Sequence, residues 1–142
     1  MRNRLPLRLI VLVAALRWLP GDAACLPYEA TRVSISGRLA LHDFPGPPNH
    51  EDPSSANASE VYWFLELDPA VCVTGTPGAD DPNAESVSDV RSIQLVVAND
   101  VYMTRQGLIG KRVIATGTLF HGISGHHHSD VLLMVTTLAK AH

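Results

Sequence analysis

The sequence predicts an all-β domain, because five segments share the composition of strands. Each is rich in β-branched or aliphatic residues and is bounded by Gly, Pro, Asn, Asp or Ser. In the first segment, Val33, Ile35, Leu39 and Leu41 alternate with polar residues, which is the period of a strand with one buried face. The five predicted strands cover residues 31–41, 61–67, 90–97, 111–120 and 131–139.

A glycine interrupts the first and the fourth predicted strand, at Gly37 and Gly117. Glycine inside a strand usually marks a bulge or bend, which lets a long strand curl and serve both sides of a small barrel. Five short strands with two bends predict a small five-stranded Greek-key barrel like that of the oligonucleotide/oligosaccharide-binding (OB) type. We expect a short helix or turn at residues 99–109, between the third and fourth strands. A β-sandwich is the alternative, less favoured because five strands are few for two sheets.

The first 24 residues have the composition of an export signal. Three arginines form a basic start, residues 9–16 form an apolar core too short to span a bilayer, and residues 21–24 offer small side chains for cleavage. We therefore expect a signal peptide at residues 1–24 and a single domain at residues 25–142, periplasmic or secreted. Because Cys25 would lie next to the cut, lipid attachment there stays an open alternative.

The charge of the mature domain argues against nucleic acid as a partner. Without residues 1–24 the chain keeps 11 − 4 = 7 Lys and Arg against 14 − 1 = 13 Asp and Glu, a formal charge of 7 − 13 = −6. Binding to phosphate backbones and to anionic membranes rewards a basic surface. No second apolar segment of membrane-spanning length follows the signal. We expect a monomer that spans no membrane.

Two cysteines, Cys25 and Cys72, remain in a chain predicted to enter an oxidising compartment. Pairing is the default there, and the Cys-x-x-Cys spacing of a redox pair is absent. We predict a structural disulfide between Cys25 and Cys72 that ties the new N-terminus to the end of the second strand.

Five short motifs occur in order along the mature chain. They are Phe44-Pro45-Gly46-Pro47-Pro48-Asn49, Cys72-Val73, Ser92-Ile93-Gln94-Leu95, Gly117-Thr118-Leu119-Phe120, and Gly125-His126-His127-His128 followed by Val131-Leu132-Leu133. With these motifs the chain resembles the small exported bacterial proteins of the family called domain of unknown function 4431. The resemblance implies a bacterial, exported, single-domain protein without an assigned activity, and it carries over no catalytic residue.

Four histidines lie in one short segment between the last two predicted strands. If these strands form a hairpin closed by residues 122–125, His121 lies opposite His126, and strand alternation puts His128 on the same face. Three imidazoles so placed would form a tripod for zinc or copper with a fourth position open to water. A slip of one residue in the register would separate them. A solvated polar turn is the alternative interpretation.

His127 would point to the opposite face, beside Phe120, where we expect it to be partly buried and hydrogen-bonded to backbone. Tyr62 and Phe64 share one face of the second predicted strand, and Trp63 lies on the other. An exposed aromatic residue at this place on an OB-like barrel would stack on a sugar or a base, while core packing is the alternative. The candidate binding residues are therefore Tyr62, Phe64 and His127.

No arrangement typical of a hydrolase stands out. Ser124 lies between two glycines, but the segment lacks the spacing and the strand-to-helix context of a nucleophile elbow. We therefore expect a non-enzymatic binding module, without a cofactor, that contacts a protein, a glycan or an envelope component. The alternative is a periplasmic metal-binding protein that holds zinc or copper with His121, His126 and His128.

Overall fold

A computed structural model describes residues 24–45, 59–78 and 80–142. The predicted signal peptide, apart from its last residue, lies outside these residues, and so does the proline motif beyond Pro45. Within the described part of the chain, no helix has both the length and the apolar character needed to cross a membrane.

The protein is all-β, as predicted. The strands are β1 (Leu26–Pro27), β2 (Arg32–Pro45), β3 (Ser59–Thr74), β4 (Val87–Val96), β5 (Arg112–His121) and β6 (Val131–Lys140). A seven-residue helix, α1 (Asn99–Arg105), and a following 3₁₀ turn (Gln106–Leu108) occupy the predicted place between β4 and β5. Strands β2 and β3 are longer than predicted, because they pair with each other as far as Pro45 and Ser59. The other end of β3 reaches Thr74 through pairing with β4 and β1.

The five long strands close into a ring. Strand β2 pairs antiparallel with β3 and with β5, β5 pairs antiparallel with β6, and β3 pairs antiparallel with β4. The ring closes through a short parallel pairing of β4 with β6, and β1 adds to β3 in parallel. The strands thus form one curved sheet instead of the two sheets of a β-sandwich.

The two interrupting glycines lie where the sheet changes direction. At Gly37, β2 passes from pairing with β5 to pairing with β3, and a Cβ atom there would lie 2.6 Å from the carbonyl oxygen of Glu66. At Gly117 the β5–β6 register shifts, and a Cβ atom would collide with the carbonyl oxygen of Met134. Both positions therefore require glycine for close backbone approach, which is the bulge or bend that the sequence predicts.

The barrel interior is filled by aliphatic side chains from every long strand. Alternation along β2 buries Val33, Ile35 and Leu39 and exposes the residues between them. Val101, Leu108 and Ile109, in and after α1, pack against this core. Side chains with no exposed surface come from β2 to β6 and include Leu39, Leu65, Ile93, Val113, Leu119 and Leu133.

The predicted disulfide is present. Cys25 and Cys72 are joined with their Cα atoms 4.7 Å apart, and the bond links residues 47 positions apart in the chain. It attaches the segment before β1 to the end of β3, next to the parallel pairing of Leu26 with Val73. The bond therefore fixes the start of the described chain against the barrel.

Candidate functional site

The histidine-rich segment forms a long loop instead of the predicted tight hairpin. His121 pairs with Val131, and residues 122–130, here called the histidine loop, connect the two strands. The backbone N–H of Gly122 donates to the carbonyl oxygen of Asp130 at 2.9 Å and closes the loop at its base. The predicted pairing of His121 with His126 is therefore wrong, because β6 begins five residues later than that pairing requires.

His121 lies at the end of β5, with 17% of its side chain exposed. Its backbone N–H donates to the side-chain oxygen of Asn83 at 2.8 Å, and its Nε2 atom is 3.8 Å from a carboxylate oxygen of Glu85. The ring centroid is 6.4 Å from that of Tyr28. Burial, and then the charges of Asp130 and Glu85, raise the pKa of the Tyr28 hydroxyl.

His126 faces the start of β3, with 64% of its side chain exposed. Its Nδ1 atom lies 3.2 Å from a carboxylate oxygen of Glu60 and 3.2 Å from the hydroxyl of Tyr62. The Tyr62 hydroxyl donates to the same carboxylate oxygen at 2.5 Å. This bond to Glu60 raises the pKa of Tyr62 to about 12, and the bonds from Tyr62 and then His126 lower the pKa of Glu60.

His128 packs in another direction, against the end of β2. Its ring stacks on Phe44, with centroids 3.8 Å apart and planes 7° apart, and lies 5.1 Å from the ring of Tyr62. His121, His126 and His128 therefore have different sets of partners and do not form the predicted tripod. Across residues 24–45, 59–78 and 80–142, no three His, Cys, Asp or Glu side chains are grouped so that they could hold a metal ion.

His127 points away from these partners, as predicted, and its ring lies edge-on to Phe120 with centroids 5.6 Å apart. Its Nδ1 atom accepts hydrogen bonds from the backbone N–H groups of Ile123 and Ser124, at 2.8 and 3.3 Å. An accepting Nδ1 carries no proton, so in this arrangement Nε2 is the ring's donor nitrogen. His127 thus organises the turn inside the histidine loop.

Gln94 of β4 holds the histidine loop from below, and sequence reasoning did not single it out as a site residue. It is 2% exposed. Its side-chain nitrogen donates to the carbonyl oxygen of His126 at 2.9 Å, and its side-chain oxygen accepts from the backbone N–H of His128 at 2.6 Å. A polar amide within the apolar run of β4 was the available signal, since buried polar groups normally have specific partners.

The aromatic residues of β3 alternate between the two faces of the sheet as predicted. Trp63 is buried in the barrel core and contacts Tyr102 at a centroid distance of 5.2 Å. Tyr62 and Phe64 face outward. Phe64 is only 2% exposed, however, and His42 stacks on it at 4.3 Å, so it does not offer a free ring face as an exposed stacking residue would.

These contacts create a second packed layer outside the barrel, which we call the outer aromatic cluster. It joins the ends of β2 and β3 to the histidine loop. His42 also lies 2.7 Å from a carboxylate oxygen of Glu66, which orients its ring. The members of the cluster are His42, Phe44, Tyr62, Phe64 and His128.

Beside the outer aromatic cluster lies an open cleft of about 510 Å³, here called the aromatic cleft. Three parts of the chain line it: rings of the cluster, the first half of β4, and the junction of the histidine loop with β6. Among the residues that the structure describes, neither Nε2 of His128 nor Oγ of Ser92 has a hydrogen-bond partner, although both atoms are buried. The cleft thus combines aromatic ring surface with polar side chains of β4 and of the loop–β6 junction.

The rim of the aromatic cleft carries both charges. Asp89 and Arg91 form a two-point ion pair, with contacts of 2.8 and 3.2 Å, and both side chains are about two-thirds exposed. Asp130 is exposed on the other wall and makes no ion pair with another described residue. The rim therefore carries positively and negatively charged side chains that can form hydrogen bonds.

Residues 92–139 match the family described as Domain of unknown function (DUF4431). The matched part runs from the middle of β4 through β6 and includes Gln94 and the histidine loop. The match supports the family that the sequence motifs indicate. No curated protein and no solved structure matches the chain.

Proposed function

We propose that this protein is a non-enzymatic binding module, periplasmic or secreted, that holds part of a protein, a glycan or an envelope component in the aromatic cleft. The observation that carries the proposal is the open cleft of about 510 Å³, which brings aromatic rings together with exposed polar side chains. Ligand sites typically combine apolar surface with a few polar groups that fix the orientation of the ligand. Here the rings of Phe44 and His42 supply apolar contact, and the exposed side chains of Ser88 and Asp130 supply hydrogen bonds.

We also propose that the barrel is of the OB type. The ring of five strands, the parallel pairing of β4 with β6, and the helix between β4 and β5 support this assignment. Barrels of this type bind ligands on the face of their second and third strands, between the loops that follow the first and fourth strands. Here those strands are β3 and β4, and the histidine loop follows the fourth. The aromatic cleft is lined by β4 and by the end of the histidine loop, so by analogy of fold it corresponds to that ligand-binding face.

Two observations support the non-enzymatic and exported parts of the proposal. The hydroxyl of Ser129, which lines the cleft, lies 2.8 Å from the carbonyl oxygen of Val131 and 3.2 Å from that of Ser92, so its one proton is directed to backbone carbonyls and not to a histidine. A nucleophilic serine needs a base within hydrogen-bond reach. The Cys25–Cys72 disulfide fits an oxidising compartment outside the cytoplasm.

A nuclear magnetic resonance titration of the chain from Cys25 onward tests this function. Two probe sets are added separately: soluble peptidoglycan fragments and a library of random hexapeptides. We expect one of them to shift the backbone signals of the residues that line the aromatic cleft. Ser88→Ala should weaken that binding about tenfold, the loss of roughly one hydrogen bond, because Ser88 is exposed and lines the cleft.

Thr136→Ala is the matched control, because Thr136 is exposed on β6 and does not line the cleft. It should leave the affinity unchanged. If both probe sets at millimolar concentration leave the cleft signals unmoved, or if the shifts map to another surface, the proposed site is wrong.

A further inference from the structure

In the part of the chain that the structure describes, strand β4 has one edge without a strand partner over half its length. One side of β4 pairs with β3 from Val87 to Leu95. The other side pairs with β6 only at Gln94, Leu95 and Val96. Among the described residues, the first half of β4 therefore has no strand on that side. A side-chain hydroxyl occupies one position, where Ser129 donates to the carbonyl oxygen of Ser92 at 3.2 Å.

The aromatic cleft runs along this open edge. Six consecutive residues of β4, Val87 to Ser92, line it, and Ser129 to Val131 form the facing wall. Side chains alternate between the two faces of a strand, so a cleft on one face would be lined by every second residue. Because every residue from Val87 to Ser92 lines the cleft, the cleft follows the edge of the strand. At about 3.3 Å per residue the edge extends roughly 20 Å, the length of a short extended peptide.

The backbone is irregular at the same place. The β3–β4 register shifts on both sides of Val71, and Asp89 has a φ of 54°, in the left-handed region. Irregularities of this kind bend a strand and are common at sheet edges and beside binding sites. The exposed Asp89–Arg91 pair hinders flat association between two such edges. The charged pair therefore disfavours pairing with the same edge of a second molecule, while a single extended strand still fits the cleft.

Charge indicates what kind of peptide fits. Arg91 is already paired with Asp89, whereas Asp130 makes no ion pair with a described residue and lies on the facing wall. The unbalanced charge of the cleft is therefore negative, like the formal charge of the mature chain. The rings of Phe44 and His42 form the apolar part of the wall. A peptide with alternating apolar and basic side chains is complementary to both features.

We propose that the ligand of the aromatic cleft is an extended segment of a partner protein, which adds to the open edge of β4 as an extra strand and places a lysine or arginine beside Asp130. This inference rests on the proposed function and specifies its ligand. Backbone hydrogen bonds along Val87 to Ser92 supply affinity, and the alternate side chains of the peptide supply specificity.

A positional-scanning library of capped hexapeptides tests the inference, with binding followed by fluorescence polarisation and by amide hydrogen exchange. We expect selection for lysine or arginine at one position and slower exchange of amides between Val87 and Ser92. Methylating the backbone nitrogen of every second residue in the best peptide should reduce its affinity at least tenfold, because it removes strand-pairing donors and keeps the side chains.

Asp130→Asn should weaken the best basic peptide about tenfold, whereas Asp100→Asn, an exposed carboxylate on α1 outside the cleft, should not. Equal binding of the methylated and unmethylated peptides would overturn strand addition. Failure of every hexapeptide would overturn it too. If peptidoglycan fragments then still shift the cleft signals, the cleft keeps its proposed function and only the peptide assignment fails.

Discussion

The side-chain oxygen of Gln94 lies 2.6 Å from the backbone nitrogen of His128. Its side-chain nitrogen donates to the carbonyl oxygen of His126, so one buried amide bonds to the loop on both sides of His127. Because Gln94 lies on β4, these two hydrogen bonds anchor the histidine loop over the outer face of the barrel. It thereby sets the position of the ring of His128 above Phe44 and forms one wall of the aromatic cleft.

Substituting Gln94 tests this anchor. Gln94→Ala should lower the free energy of unfolding by about 1–3 kcal/mol, because it removes a buried side chain and leaves two part-buried backbone groups of the loop without that partner. Urea unfolding measures the loss. Gln106→Ala is the matched control, since Gln106 is exposed in the turn after α1, and it should change stability by less than about 0.5 kcal/mol. Equal stability of the two variants would show that the loop holds its position without Gln94.

His128 and His126 should respond differently to removal of their rings. His128→Ala should cost about 1–2 kcal/mol, because it removes the ring stacked on Phe44, whereas His126→Ala should stay within about 0.5 kcal/mol because its side chain is mostly exposed. Thermal or urea unfolding without added metal measures both. If the three histidines instead formed one zinc site, each substitution would abolish zinc binding, which isothermal titration calorimetry would detect.

The hydroxyl of Tyr62 should titrate at unusually high pH. Its pKa is raised to about 12, first by the bond to Glu60. A pKa raised by folding stabilises the folded state below about pH 10, and this contribution is lost as the pH rises through about 12. Ultraviolet absorbance of tyrosinate should therefore show late-titrating tyrosine, and Tyr62→Phe should remove one equivalent of it, while the buried Tyr28, whose pKa is also raised, still titrates late.

Glu60→Gln gives the matching test of cause. It should move the titration of Tyr62 toward pH 10, because the charged acceptor of the Tyr62 proton is gone. The lowered pKa of Glu60 has the opposite sign of linkage: its stabilising contribution is present above the ordinary carboxyl range and is lost as the pH falls through its lowered value. An unchanged tyrosine titration in Glu60→Gln would contradict the assignment.

Removing the disulfide should destabilise the barrel. For a loop of 47 residues the chain-entropy relation gives about 4 kcal/mol. The double variant Cys25→Ser/Cys72→Ser should therefore unfold at lower urea concentration than the oxidised protein. The reduced wild-type protein is the control and should match the double variant. Stability that does not depend on oxidation would show that the bond adds nothing to the fold.

Gly117 should tolerate no side chain. Gly117→Ala should cost about 1–3 kcal/mol or more, because the new Cβ atom meets the backbone of Met134. Gly125→Ala is the matched control, since a Cβ atom in the histidine loop would meet nothing within 4 Å, and it should stay within about 1 kcal/mol of wild type. If Gly117→Ala is as stable as the control, the bulge relaxes without cost.

Much of the fold follows from local pattern. Alternation in β2 identifies its buried face from Val33 to Leu39 but not at Leu41, which is 44% exposed; the two interrupting glycines identify the bends, and the paired cysteines identify the crosslink. The split of Tyr62 and Phe64 from Trp63 also follows from alternation. His127 does contact Phe120, but through the histidine loop and not through the predicted strand pairing. The strand ends were harder to place, because Pro45 and Ser59 look like turn residues and are held extended only by pairing with each other.

By itself, the sequence determined the fold class, the bends, the disulfide and the place of α1, because these depend on neighbouring residues or on residue type. The tertiary structure alone decided the partners of the four histidines. Their loop takes its position from Gln94, more than thirty residues earlier in the chain, and from Phe44, Glu60 and Tyr62 on the neighbouring strands. A periodic pattern carries no information about contacts between such distant residues, so register and the aromatic cleft emerge only when the barrel closes.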